Sequence, residues 1–141
     1  MAMIEHPTLD MERQLAAQGC DVVIGCDEVG RGALAGPVMV GAAAMWSRDL
    51  AAAQVPAGVA DSKLLTEHRR EGIVDELRSW CAAYAVGQAS NAEIDEWGIS
   101  HALGIAALRA LNDVERQLGM DGPAVAWMSS WTVRTITSPR L

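Results

Sequence analysis

The sequence predicts one mixed α/β domain, on three observations. Short β-branched segments at 22–26 and 37–45 flank a glycine-rich stretch, two longer stretches carry apolar residues at a 3.6-residue period, and further short apolar segments follow each of those. The chain has 141 residues, half of them apolar, enough for a single core. That core is expected to consist of small side chains, because Phe is absent, Tyr84 is the one tyrosine and alanine fills long runs.

The elements follow in order. Residues 1–19 read as an amino-terminal arm with a short helix around 11–18. Residues 22–26 read as a buried strand that gives way to a turn, and 37–45 as a second strand antiparallel to it. Residues 46–61, with Pro56 and Gly58, form a looser connection. Thr66 suits the cap of a helix whose apolar positions Ile73, Val74, Leu77, Trp80, Cys81 and Tyr84 keep the helical period. Residues 85–89 suit a short strand. A longer helix over 99–118 places Ala102, Leu103, Ala106, Ala110, Val114 and Leu118 on one face, with Gly119 where a C′ glycine belongs. A further strand is expected from residue 125.

Composition narrows the function classes. No apolar run approaches the roughly 20 residues of a membrane span, and the first thirteen residues lack the apolar region of a secretory signal. Cys20, Cys26 and Cys81 are odd in number and lack metal-type spacing, so free thiols in a reducing cytoplasm are expected. His6, His68 and His101 are scattered, which gives a histidine-based metal site or catalytic triad little support. The formal charge of −7 argues weakly against a nucleic-acid partner. Carboxylates gathered around cations would nevertheless count as negative in the sequence while the bound ions reverse the field locally. Arg31 and Lys63 are the basic residues to look for near such a site.

The chemistry centres on Asp27 and Glu28. Two adjacent carboxylates suit hard divalent cations such as Mg²⁺ or Mn²⁺. Neighbouring side chains of a regular strand point to opposite faces, so both reach one ion only if the backbone bends, which Gly30 and Gly32 make easy. An isolated Asp-Glu pair is more often a solvated turn. The surrounding residues are what set this pair apart.

The run Gly25-x-Asp27-Glu28-x-Gly30-Arg31-Gly32-x-x-Ala35-Gly36-Pro37-Val38 resembles the signature of the prokaryotic type 2 ribonucleases H, the ribonuclease HII family. Asp61-Ser62-Lys63-x-Leu65 with Arg70-Glu71, and then Glu93-Ile94-Asp95 with Gly98-Ile99 and the alanine-rich helix, resemble later blocks of the same family. Three ordered blocks are far more specific than one glycine loop. The resemblance implies a ribonuclease H-like mixed sheet with flanking helices. It also implies cleavage of the RNA strand of RNA–DNA hybrids, and at ribonucleotides embedded in duplex DNA, by a cytoplasmic monomer using Mn²⁺ or Mg²⁺. Asp27 and Glu28 would then be catalytic metal ligands, and Gly30, Arg31 and Gly32 would read the ribose 2′-OH. For Arg31 the alternative is a surface salt bridge. Ser62 and Lys63 suit a phosphate contact, and equally an ordinary solvated loop before a helix. Asp61 reads as a turn cap rather than a ligand, Glu93 and Asp95 as structural, and Trp80 and Trp97 as packing residues. A non-catalytic nucleic-acid-binding module on the same fold is the alternative function. An unrelated phosphate-binding protein is disfavoured because the glycine loop lacks a Gly-Lys-Ser/Thr ending.

The resemblance stops near residue 127. The family pattern continues with a hydrophobic strand ending in Asp-Gly, which brings a third acid, and later a fourth acid on a helix; here no acidic residue follows Asp121. With TCN codons for Ser129 and Ser130, reading two bases later from within the Met128 codon gives valine, then two triplets open to aliphatic residues. GAC, an aspartate, comes next, and triplets open to glycine and serine follow it. Residues 20–127 are therefore expected to be a partial catalytic domain and 128–141 an out-of-frame tail. Such a chain is expected to be incomplete at its carboxy terminus, poorly stable and inactive. The coding DNA around the Met128 codon checks this; a shifted frame without Asp-Gly would refute it.

Overall fold

The computed structural model of the chain describes residues 6–30, 36–120, 126–128 and 134–137. Helix α1 (Asp10–Ala17) precedes strands β1 (Val22–Gly30) and β2 (Val38–Trp46). A one-turn helix α2 (Ser47–Leu50), a 3₁₀ turn (Ser62–Leu64) and helix α3 (Glu67–Trp80) lead to β3 (Ala83–Ala89). Helices α4 (Asn91–Trp97) and α5 (Ile99–Gln117) follow, and then β4 (Ala126–Met128) and β5 (Arg134–Thr137). The five strands form one sheet in the order β3-β2-β1-β5-β4, with every neighbouring pair antiparallel. The mixed α/β class expected from the sequence is the class observed.

Several boundaries differ from the sequence reading. β1 does not end at residue 26; it continues through Asp27 and Glu28 to Gly30, because β2 is long enough to pair with the whole stretch. α3 stops at Trp80, so Tyr84, which the helical period included, lies exposed on β3. The cause is a change of backbone at Cys81, which turns extended (φ −72°, ψ 147°) after its N–H has closed the last helical bond to Leu77. α2 replaces part of the expected loose connection and buries Leu50. The strand expected from residue 125 exists as β4, but β5 occupies the place beside β1, its Thr137 opposite Val23. Residues 129–133 and 138–141 of the expected tail lie outside the described residues.

The main core lies between one face of the sheet and α5. β1 contributes Val22, Ile24 and Cys26, and β2 contributes Val38, Val40, Ala42 and Ala44. α5 answers with Ala102, Ala106, Ala110 and Val114 of the stripe read in the sequence, and with Leu111, which that reading left out; Leu103 and Leu118 are only partly buried. Gly119 ends this helix region with φ +69°, as a C′ residue in the left-handed region does. The alanines let α5 lie almost on the backbone of β3. At Gly87 the approach is closest: a Cβ there would overlap the Ala106 carbonyl oxygen and stand 2.5 Å from the Ala110 nitrogen.

The opposite face is covered more thinly. Leu15 of α1 packs with Val23, Cys20 and Leu50, and Arg13 fastens α1 by donating to the carbonyls of Leu50 (3.1 Å) and Ala53 (2.9 Å). A cavity of about 160 Å³ remains between Leu9, Glu12, Val23, Met45 and Trp80. No residue of α3 is fully buried. Cys20, Cys26 and Cys81 form no disulfide, as the sequence reading held, and burial pushes the Cys81 thiol above its ordinary value.

The two strand glycines make a controlled comparison. Gly87→Ala is expected to cost about 3 kcal/mol, the upper end of overpacking penalties, because rigid helix backbone must retreat. Gly41→Ala should cost under about 1 kcal/mol, since the one tight neighbour of its Cβ would be a Val29 side-chain methyl at 3.1 Å, with the Asp27 carbonyl at an ordinary 4.0 Å. Urea denaturation of the two variants checks the difference; equal costs would mean α5 does not lie this close.

Candidate functional site

Strand pleating decides where the two carboxylates go. Val22, Ile24 and Cys26 face α5, so Glu28 continues that row, while Asp27 continues the Val23–Gly25 row on the other face. Cys26 is the last β1 side chain in the core, and Asp27, Glu28 and Val29 are all exposed. Both acids keep regular register, opposite Gly41 and Val40, and the strand becomes irregular only after them. Glu28 pairs with Val40 and Gly30 with the very next β2 residue, Met39, so β1 spends an extra residue, Val29, on a bulge. Asp27 is further oriented by its Oδ1, which accepts the Glu28 N–H at 2.8 Å.

The site residues named from the sequence fall in three places. Asp27, Glu28 and Gly30 follow one another at the end of β1, with the two carboxylates on opposite faces of the strand. Arg31 and Gly32 lie outside the described residues. Ser62 and Lys63 stand on the 3₁₀ turn ahead of α3, both exposed, and neither is bonded to the acid pair. Asp61 caps that turn, its Oδ1 accepting the Lys63 N–H at 3.0 Å. Thr66 caps α3 through the Arg69 N–H at 3.4 Å. Among the described residues, no group of three or more His, Cys, Asp or Glu side chains is placed to hold a metal ion. Asp27 and Glu28 are hard oxygen donors, which suits Mg²⁺ or Mn²⁺, but as a pair they supply only part of a coordination shell.

A structural strut stands at the same end of the sheet. Ser90 and Glu93 form a capping box at the start of α4, the Ser90 N–H donating to Glu93 Oε2 at 2.8 Å and the Glu93 N–H to Ser90 Oγ at 3.2 Å. Arg109 of α5 grips both Glu93 oxygens, at 2.6 and 2.9 Å, and donates to the Gln88 carbonyl at 2.8 Å. Gln88 is paired with Met39, and Met39 with Gly30. The strut therefore braces the strand row that carries the bulge. Arg109's paired hydrogen bonds, followed by the Ser90 N–H, hold the Glu93 carboxyl down to about 2. Sequence reasoning placed Glu93 among structural residues but gave α4 no helix of its own; Ser90-x-x-Glu93 was the available signal. Trp97, expected to pack, is instead partly exposed at the end of α4, beside His101 with ring centroids 6.1 Å apart.

Comparison with known proteins establishes the family. A sequence model described as ribonuclease HII matches residues 24–121, which include both acids, the Ser62–Lys63 turn and α5. The chain belongs to the ribonuclease HII family. The ribonuclease HII of Streptomyces avermitilis is 46% identical over 136 residues, covering 94% of this chain and 56% of that protein. The ribonuclease HII of Synechococcus sp. is 48% identical over 91 residues (64% of this chain, 44% of the relative), and that of Nitrobacter hamburgensis 42% over 119 residues (82% and 42%). The chain thus spans about half the length of the curated ribonucleases HII it matches. Among the described residues no helix is long and apolar enough to cross a membrane.

The low Glu93 value has a directional consequence. A carboxyl depressed in the folded state contributes stability above its ordinary value of 4.5 and loses that contribution as pH falls toward about 2. Carbon-detected NMR titration is expected to find Glu93 titrating near 2 in the parent and closer to 4.5 in Arg109→Ala. An unchanged midpoint in the variant would contradict the pairing.

Proposed function

We propose that Asp27 and Glu28 are two carboxylates of a metal-dependent phosphodiesterase site, which hydrolyses the RNA strand of RNA–DNA hybrids and cuts at ribonucleotides embedded in duplex DNA. The observation that carries this reading is the placement of the pair: adjacent, exposed and followed at once by a bulge, within the stretch matched to ribonuclease HII. Divalent ions bound there would supply an activated water and charge neutralisation at the leaving 3′-oxygen. The Asp27 carboxylate, oriented by the Glu28 N–H, and the Glu28 carboxylate would hold the ions, Mn²⁺ or Mg²⁺.

Substrate contacts would fall to residues 30–32 and to the Ser62–Leu64 turn. Backbone at Gly30 and Gly32 can approach a sugar closely, and with Arg31 these residues would read the 2′-OH, the group that separates RNA from DNA. Lys63, exposed and outside any ion pair of the described residues, would sit on a backbone phosphate beside the Ser62 hydroxyl. That contact positions the duplex without reading its sequence. The charge of −7 makes local placement of cations, rather than overall attraction, responsible for binding.

Two carboxylates alone are expected to bind Mn²⁺ weakly, on the order of 10⁻⁴ to 10⁻³ M. Paramagnetic broadening should be confined to residues around 26–30 and lost in Asp27→Asn and Glu28→Gln, whose folds should be intact because both side chains are exposed. Any Mn²⁺-dependent nicking of a duplex carrying one ribonucleotide should vanish in the same variants. Broadening or nicking that survives both substitutions would overturn the assignment.

A further inference from the structure

The turn that carries Ser62 and Lys63 is exposed, three residues long, and tied down by a side chain from the helix that follows. Its internal bonds are few: the Leu64 N–H reaches the Asp61 carbonyl at 2.8 Å and the Leu65 N–H reaches the Ser62 carbonyl at 3.3 Å. Turns of this kind have poor hydrogen-bond geometry and rarely hold a shape unaided. Two side chains supply what is missing. Asp61 takes the Lys63 N–H, and Nη1 of Arg70 donates to the carbonyls of both Ser62 (3.2 Å) and Leu65 (3.0 Å). One guanidinium nitrogen therefore spans the turn, with an anchor on each side of Lys63.

Arg70 serves no comparable purpose within α3. Its partners are turn carbonyls and not helix groups, Thr66 already caps the helix, and Arg70 forms no ion pair among the described residues. Hydrogen bonds from a charged donor are about twice as strong as neutral ones, so an exposed arginine can hold such a turn. The Lys63 ammonium meanwhile remains without an acidic partner among the described residues. A cation on a rigid turn meets a phosphate with less ordering cost than one on a mobile loop.

We propose that Arg70 is a positioning residue for nucleic-acid binding: it fixes the 62–65 turn so that Lys63, and not Arg70, meets the phosphate. The inference rests on the phosphate-contact reading of Lys63 given above.

A double-mutant cycle tests it, using the full chain, a short fluorescent RNA–DNA hybrid and Ca²⁺ in place of Mg²⁺ so that no strand is cut. Lys63→Ala is expected to weaken binding about five- to tenfold and to reduce the salt slope by about one. Arg70→Ala should match that loss in the parent, yet change affinity less than about twofold when Lys63 is already alanine. Arg70→Lys should keep most of the affinity, because an ammonium can also donate to both carbonyls. Amide exchange at Lys63, Leu64 and Leu65 should accelerate in Arg70→Ala and not in Lys63→Ala, a readout that needs no substrate.

Equal losses from Arg70→Ala in both backgrounds would make Arg70 itself a phosphate contact and overturn the proposal. So would unchanged amide exchange, or unchanged affinity in Arg70→Ala where Lys63→Ala weakens binding. If Lys63→Ala leaves affinity and salt slope untouched, the phosphate reading of Lys63 fails first and this proposal falls with it.

Discussion

The close approach of α5 to β3 at Gly87 is the constraint on which the rest of the structure depends. A helix can lie this near a strand only where the strand lacks a side chain and the helix presents methyl groups, as Ala102, Ala106 and Ala110 do. Small residues on both sides bring backbone to backbone and leave no room for the large aromatics that fill most cores. The absence of Phe from the chain is therefore consistent with its packing. A core of this kind gains contact density from proximity rather than from side-chain bulk.

The buried region has a clear limit on β1. The core on the α5 side of the sheet takes in β1 as far as Cys26, and the next three residues are exposed. Burying Asp27 and Glu28 would have required partners for two charges. The bulge at Val29 and the Ser90–Glu93–Arg109 strut act on the same strand row, one bending it and the other bracing it from α5. Bracing at that end of the sheet thus comes from an ion pair between two helices, Glu93 of α4 and Arg109 of α5.

Much of this was legible in the sequence, for reasons that can be named. The α5 stripe and the Gly119 stop follow from helical period and glycine conformation, both local properties, and apart from Leu111 they were read correctly. Thr66 and Asp61 were recognised as caps because capping is a matter of one side chain and the next few N–H groups. The period failed at Tyr84, where apolar spacing runs on although the chain has already turned into β3. α4 was missed for a different reason, since seven residues carry too little periodic signal to stand out beside a long neighbouring helix.

By itself the sequence determined the class of fold, the family and the acidic pair, because these are written in short ordered blocks and local patterns. Tertiary structure alone decided that β1 runs through the acids, since strand length depends on the partner available in β2. It also decided that β5 and not β4 lies beside β1, and that Glu93 belongs to Arg109, sixteen residues away. Arg70 stands nearer to its turn in sequence, yet its hold on the Ser62 and Leu65 carbonyls was equally invisible. Backbone carbonyls are identical at every position, so only the folded path reveals which of them a side chain will find.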